Sequence, residues 1–104
     1  MSWIKLQSEY EDLDKYKNIN EDIWYYKKGT NILHNPYGPS LIYKHGKKIY
    51  HIENERHRLN GPAVIWPSGY EEYYIKGYSF AKEEFEIHPE RLKYLGKEYL
   101  ICLK

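Results

Sequence analysis

The residues of this chain that could do chemistry begin with its five histidines. His45, His51 and His57 are spaced by six, and strand geometry would bring His34 and His57 to equivalent places in neighbouring hairpins. A metal centre needs more than this: there is no His-x-x-x-His pair, no pair of thiolates and no carboxylate at a matching offset. His34 and His57 each stand just ahead of a Gly-Pro pair, which suits a structural hydrogen bond. Asp12-Leu13-Asp14 opens like a calcium loop, but Tyr16 and Lys17 fall where an oxygen ligand and a glycine are required. Glu71-Glu72 and Glu83-Glu84 are adjacent carboxylates that on a strand would face opposite ways, as solvated faces. Cys102 lies in the apolar run Leu100-Ile101-Cys102-Leu103 and reads as a buried, inert thiol. No Gly-rich phosphate loop and no Gly-x-Ser-x-Gly is present. No set of residues nominates a reaction, so the expectation is a non-enzymatic protein with no cofactor and no metal.

The aromatic excess points elsewhere. Thirteen tyrosines and three tryptophans in 104 residues exceed what one core can bury with every hydroxyl satisfied, so several belong at the surface. Tyr70, Tyr74 and Tyr78 alternate in the last return strand and are expected opposite Tyr73 and Ile75, on the face that His51 and Glu53 take one repeat earlier. With Arg56, His57 and Arg58 beside them, they have the composition of an interface hot spot. The candidate protein-binding residues are therefore Tyr70, Tyr74, Tyr78, His51, Arg56 and Arg58. The competing reading packs this tyrosine row under a terminal helix. A second class of function is single-stranded nucleic-acid binding by stacking tyrosines with Lys and Arg between them. Sixteen Lys+Arg against fifteen Asp+Glu leave a net charge of only +1, which disfavours nucleic acid because counterion release supplies most such affinity.

The elements that must position these residues come from an internal repeat. A shift of 23 residues superimposes His34 on His57, Gly38-Pro39 on Gly61-Pro62, Ile42 on Ile65, Gly46 on Gly69, Tyr50 on Tyr73 and Ile52 on Ile75. Each unit reads as a β-hairpin: Gly-Pro opens it, an apolar run follows, a Gly-containing turn reverses the chain and an alternating strand returns. Gly38, Gly46, Gly61, Gly69 and Gly77 are its structural positions, with Asn54 matching Gly77 as a residue tolerant of positive φ. Tyr50, Ile52, Tyr73 and Ile75 are expected to share one face. Trp24 to Gly29 forms a degenerate half-unit.

The ends do not repeat and read as caps. Ser8-Glu9-Tyr10-Glu11 matches a capping box, and Tyr10, Leu13 and Tyr16 at helical spacing predict a short helix over about Glu9 to Lys17. Ser79 would cap a helix from Phe80 to Ile87, stopped by His88-Pro89, with a further helical turn over Glu90 to Leu95 ended by Gly96. Tyr99, Ile101 and Leu103 alternate like a last strand. The predicted fold is mainly β: one domain over residues 1–104, with an N-terminal cap at 1–23, an antiparallel meander of hairpin repeats at 24–78 and a C-terminal helix and last strand at 79–104. With two full repeats, the sheet would keep open edges, and Tyr99 to Leu103 could seal one or join a second copy in a homodimer.

Composition bounds the setting. A chain of 12.7 kDa has room for one core, and its aromatics mark it as folded despite a mean hydropathy of −0.87. The longest uncharged run, Leu59 to Tyr70, is broken by Pro and Gly and too short to cross a bilayer. Lys5, Glu9, Glu11 and Asp12 interrupt any leader-like apolar stretch, and the single Cys suits a reducing compartment, so a cytoplasmic location is expected.

Leu59-Asn60-Gly61-Pro62-Ala63-Val64-Ile65-Trp66, followed by Gly69, Tyr73-Tyr74 and Gly77, resembles the MORN-repeat variant family. His57 to Ala63 is similar to a Gly-Pro-Ala subtype found in small phage and giant-virus proteins, in which the last repeat runs into an acidic helix like Ala81 to Phe85. Where ordinary MORN units place an aromatic soon after the first Gly, this chain has Pro-Ser or Pro-Ala. The resemblance covers about Trp24 to Phe85. It implies stacked antiparallel hairpins used for protein contacts, without catalytic residues. It further implies a viral protein that acts on a host or viral partner in the host cytoplasm, inhibition of a host defence protein being one version. An excess of Lys over Arg with many Ile and Tyr, as AT-rich coding gives, fits that source.

Overall fold

Short alternating segments punctuated by Gly, Asn and Ser turns favour paired strands over long helices, and the chain follows that pattern. The computed structural model describes residues 3–102, with side chains described for 3–96. The strands are β1 Trp3–Leu6, β2 Leu13–Asn18, β3 Ile23–Lys27, β4 Leu41–Ile42, β5 Lys48–Ile49, β6 His51–Ile52, β7 Glu55–Arg56, β8 Val64–Ile65, β9 Glu71–Ile75 and β10 Tyr78–Phe80. Two helices follow, α1 Lys82–Glu86 and α2 Pro89–Cys102. Eight strands form one antiparallel meander in the order β1-β2-β3-β4-β5-β8-β9-β10, while β6 and β7 pair as a separate two-stranded ladder. The mainly β meander is as expected.

Backbone hydrogen bonds recur at the 23-residue shift. Tyr43 N–H donates to the Lys47 carbonyl and Trp66 N–H to the Tyr70 carbonyl, both at 2.9 Å. Ser40 to Ile49 matches Ala63 to Glu72, and Asn35 to His51 matches Arg58 to Tyr74. Asn18 N–H to the Asp22 carbonyl closes the β2–β3 hairpin in the same way, 25 residues ahead of the Tyr43 turn. Gly69 sits in its hairpin turn at φ +94°, and Gly46 at the same place one repeat earlier has φ +114°. Gly77 at φ +85° and Asn54 at φ +68° likewise hold matching turns. Gly38 and Gly61, the structural glycines ahead of Pro39 and Pro62, lack positive φ. At Gly61 the need is space, since a Cβ there would stand 3.3 Å from Arg58 Nη1.

The N-terminal helix expected over Glu9 to Lys17 does not form. Ser8 Oγ instead accepts the Tyr10 amide at 3.1 Å in a tight turn, and Leu13 to Asn18 is drawn into the sheet between β1 and β3. The sheet thus reaches back to Trp3, and the helices lie only towards the C-terminus. Ser79 is not a cap: it pairs with Tyr74 in β10, and α1 begins after Ala81, whose amide donates to the Glu84 carboxylate at 2.8 Å. Glu83 and Glu84 lie in the first turn of α1, where the helix dipole favours acid, and not on a strand. Gly96 lies inside α2, which continues through Tyr99 to Cys102 where a strand was expected. One apolar residue in two over so short a span does not separate strand from helix, and a single Gly is tolerated within a helix. Leu103, Lys104 and the side chain of Cys102 lie outside the described residues.

Buried residues lie on both sides of the sheet: Ile49 and Val64 on one, and Leu13, Tyr25, Tyr73 and Ile75 on the side that α1 covers. Tyr10 packs edge-on to Tyr25 and stacks on Tyr37, so loops close this side over β2 and β3. At the other end Phe85 of α1 is 1% exposed and meets Tyr73 at 4.8 Å between ring centres. Tyr50 and Ile52 stay half-buried and do not join that cluster, because the strand breaks between β5 and β6.

Candidate functional site

Residues directly opposite one another in an antiparallel pair project to the same side. The registers therefore define one continuous row across seven strands: Lys5, Tyr16, Trp24, Leu41, Ile49, Val64 and Glu72. Trp3 and Tyr26, two residues from Lys5 and Trp24 along their strands, share this side. Tyr43 and Trp66 lie two residues beyond Leu41 and Val64, and Tyr70 and Tyr74 flank Glu72 at the same interval. All three tryptophans and five tyrosines thus occupy the side opposite Tyr73, Ile75 and helix α1.

These rings form two clusters. In the first, Trp3 stands edge-on to Tyr16 at 5.2 Å, Tyr16 stacks on Trp24 at 5.9 Å, and Tyr26 contacts both. Lys5 Nζ pairs with Asp14 at 3.3 Å beside them. In the second, Lys47 Nζ lies 3.6 Å from the centre of the Trp66 ring and 5.7 Å from that of Tyr43, a cation held between successive repeats. Trp66 Nε1 donates to Glu72 Oε2 at 2.6 Å, and the Tyr74 hydroxyl donates to Glu72 Oε1 at 3.3 Å. Arg56 Nη1 donates to the Tyr74 hydroxyl at 3.2 Å. Lys5 pairs with Asp14, while Lys47 and Arg56 lie about the Trp66–Glu72–Tyr74 network, so these groups sum to one positive charge.

The residues singled out by sequence are split by the fold. Tyr70, 63% exposed, and Tyr74 with Arg56 belong to the aromatic side. Tyr78 does not, because the turn at Lys76-Gly77 reverses the chain and sets Tyr78 opposite Ile75, on the other side. The expected row of Tyr70, Tyr74 and Tyr78 therefore does not exist. His51 is buried and cannot meet a partner: its Nδ1 lies 2.7 Å from Ser40 Oγ, itself fully buried and 3.0 Å from the Ile49 carbonyl oxygen. Burial, with Arg56 nearby, pushes the His51 imidazole down to about 4. A buried serine occupied by a main-chain carbonyl is no nucleophile for a substrate, so the Ser40–His51 pair is a core hydrogen bond. Arg58 faces a separate cleft. Among the described residues no three His, Cys, Asp or Glu side chains converge as a metal site, and no helix is long and apolar enough to cross a membrane.

Trp3, Tyr16, Trp24 and Tyr26 were missed by sequence reasoning. The signal that could have found them is the Asn18–Asp22 turn, whose 25-residue offset from Tyr43–Lys47 marks a hairpin with Tyr16 and Trp24 on its two arms. Comparison with protein-family models, with curated proteins and with solved structures gives no match.

Proposed function

We propose that this protein is a non-enzymatic protein-binding module of MORN-like build that docks through its aromatic sheet side. The observation that carries this reading is the row of registered residues with three tryptophans and five tyrosines on the side away from α1. Aromatic side chains held in place by neighbours bury large area on association at little cost in side-chain entropy. Lys5, Lys47 and Arg56 against Asp14 and Glu72 leave only one positive charge, too few for the counterion release that a phosphate backbone supplies, which favours a protein. Likeness of His57 to Ala63 to the Gly-Pro-Ala subtype supports a viral source and a host partner in the cytoplasm, a host defence protein being the version to try first.

The test compares wild type with Tyr43→Ala/Trp66→Ala in affinity capture from host lysate, after melting has established that both fold. A protein retained by wild type and lost by the variant supports the reading. A labelled single-stranded oligonucleotide forms the second arm. Binding that falls steeply with salt would assign the face to nucleic acid instead.

A further inference from the structure

Arg58 carries more than its structural task requires. Its Nη1 donates to the Pro62 carbonyl at 3.1 Å, the bond that Asn35 Nδ2 makes to the Pro39 carbonyl at 3.0 Å one repeat earlier. A neutral amide suffices for that bond. Arg58 brings in addition a full charge and the remaining N–H donors of its planar fork. The fork is held in place: its Cζ lies 4.0 Å from the centre of the Tyr50 ring, and Gly61 leaves room for its close approach. Among the described residues no carboxylate lies within 4.0 Å of it, although the chain has 15 acidic residues.

Arg58 lines a cleft of about 310 Å³ between the Asn35–Gly38 and His57–Asn60 loops, floored by Tyr50 and Ile52 and reached by Tyr94 of α2. Its lining holds Arg58 with the polar groups of Asn35, His57 and Asn60, and no Asp or Glu. His57 Nδ1 accepts the Lys76 amide at 2.9 Å, so the proton of the neutral ring is on Nε2, as a second donor.

We propose that this cleft is a carboxylate-binding site that takes an Asp or Glu side chain of the protein partner. The inference rests on the protein-binding reading and names the chemistry of one contact. A stacked guanidinium presents two parallel N–H groups to a planar carboxylate, and one cation matches one such group. The volume is at the small end of ligand sites, enough for an acidic side chain and its backbone.

The test titrates the full chain with acetyl-Glu-amide, acetyl-Gln-amide and inorganic phosphate, following the Arg58 Nε–H and the His57 ring by NMR. Saturable shifts with the Glu compound alone are expected, weakened about tenfold or more in Arg58→Asn, which keeps the group found one repeat earlier. Should Arg58→Asn fail to fold, Arg58→Gln serves, and Arg58→Lys should also bind more weakly because it lacks the fork. Equal shifts with the Gln compound, unchanged shifts in the variants or tighter binding of phosphate would each overturn the proposal. Glu-compound binding without any captured protein would overturn the protein-binding reading alone, and capture without it would overturn the carboxylate site alone.

Discussion

His57 Nδ1 accepts the backbone amide proton of Lys76 at 2.9 Å, joining the segment just after β7 to the turn between β9 and β10. His34 accepts the Glu53 amide at 3.0 Å in the same way, 23 residues earlier. Each bond requires an unprotonated Nδ1, so the repeat is fastened by neutral imidazoles.

Acid should therefore loosen the fold before the carboxylates titrate. Burial holds the His34, His57 and His51 imidazoles below their ordinary range, His51 at about 4. The unfolded chain binds these protons near pH 6.5, so the stabilisation is complete above that value and is lost as pH falls towards the folded-state values. His51 alone accounts for on the order of 3 kcal/mol across pH 6.5 to 4. Urea unfolding at pH 7.5 and 5.5 checks this, with a lower midpoint expected at 5.5. Equal midpoints would show that the imidazoles are not held neutral.

Gly69→Val should destabilise by about 1–3 kcal/mol through backbone strain. The residue has φ +94°, and nothing lies within 4 Å of where its Cβ would be. An unchanged midpoint in chemical denaturation would contradict this.

Phe85→Ala should cost about 3–5 kcal/mol, a large share of the stability of a small domain. The ring is 1% exposed, packs on Tyr73 at 4.8 Å and carries the Arg91 guanidinium 4.7 Å from its centre. Calorimetry should give a much lower melting temperature.

The turns and the histidines were legible because their requirements are local. Positive φ at Gly46, Gly69, Asn54 and Gly77 and the hydrogen bonds of His34 and His57 recur with the spacing of the residue types themselves. Sidedness was not legible. Several strands are only two residues long, and β5 and β6 belong to different ladders, so counting by twos from Tyr50 loses its phase. Tyr78 was misplaced because the Lys76-Gly77 turn comes before it. Tyr10, Leu13 and Tyr16 have helical spacing, yet pairing with β1 and β3 overrides that local preference. The same error hid Tyr16 against Trp24, and with it half of the aromatic side.

Site-specific photo-crosslinking tests the docking face most directly. A benzophenone side chain at position 43, on the aromatic side, is compared with one at position 87, where Ile87 is 72% exposed just past α1. In host lysate, position 43 should give a discrete protein adduct and position 87 none. Adducts of equal yield from both positions, or an adduct from position 87 alone, would contradict docking through the aromatic side.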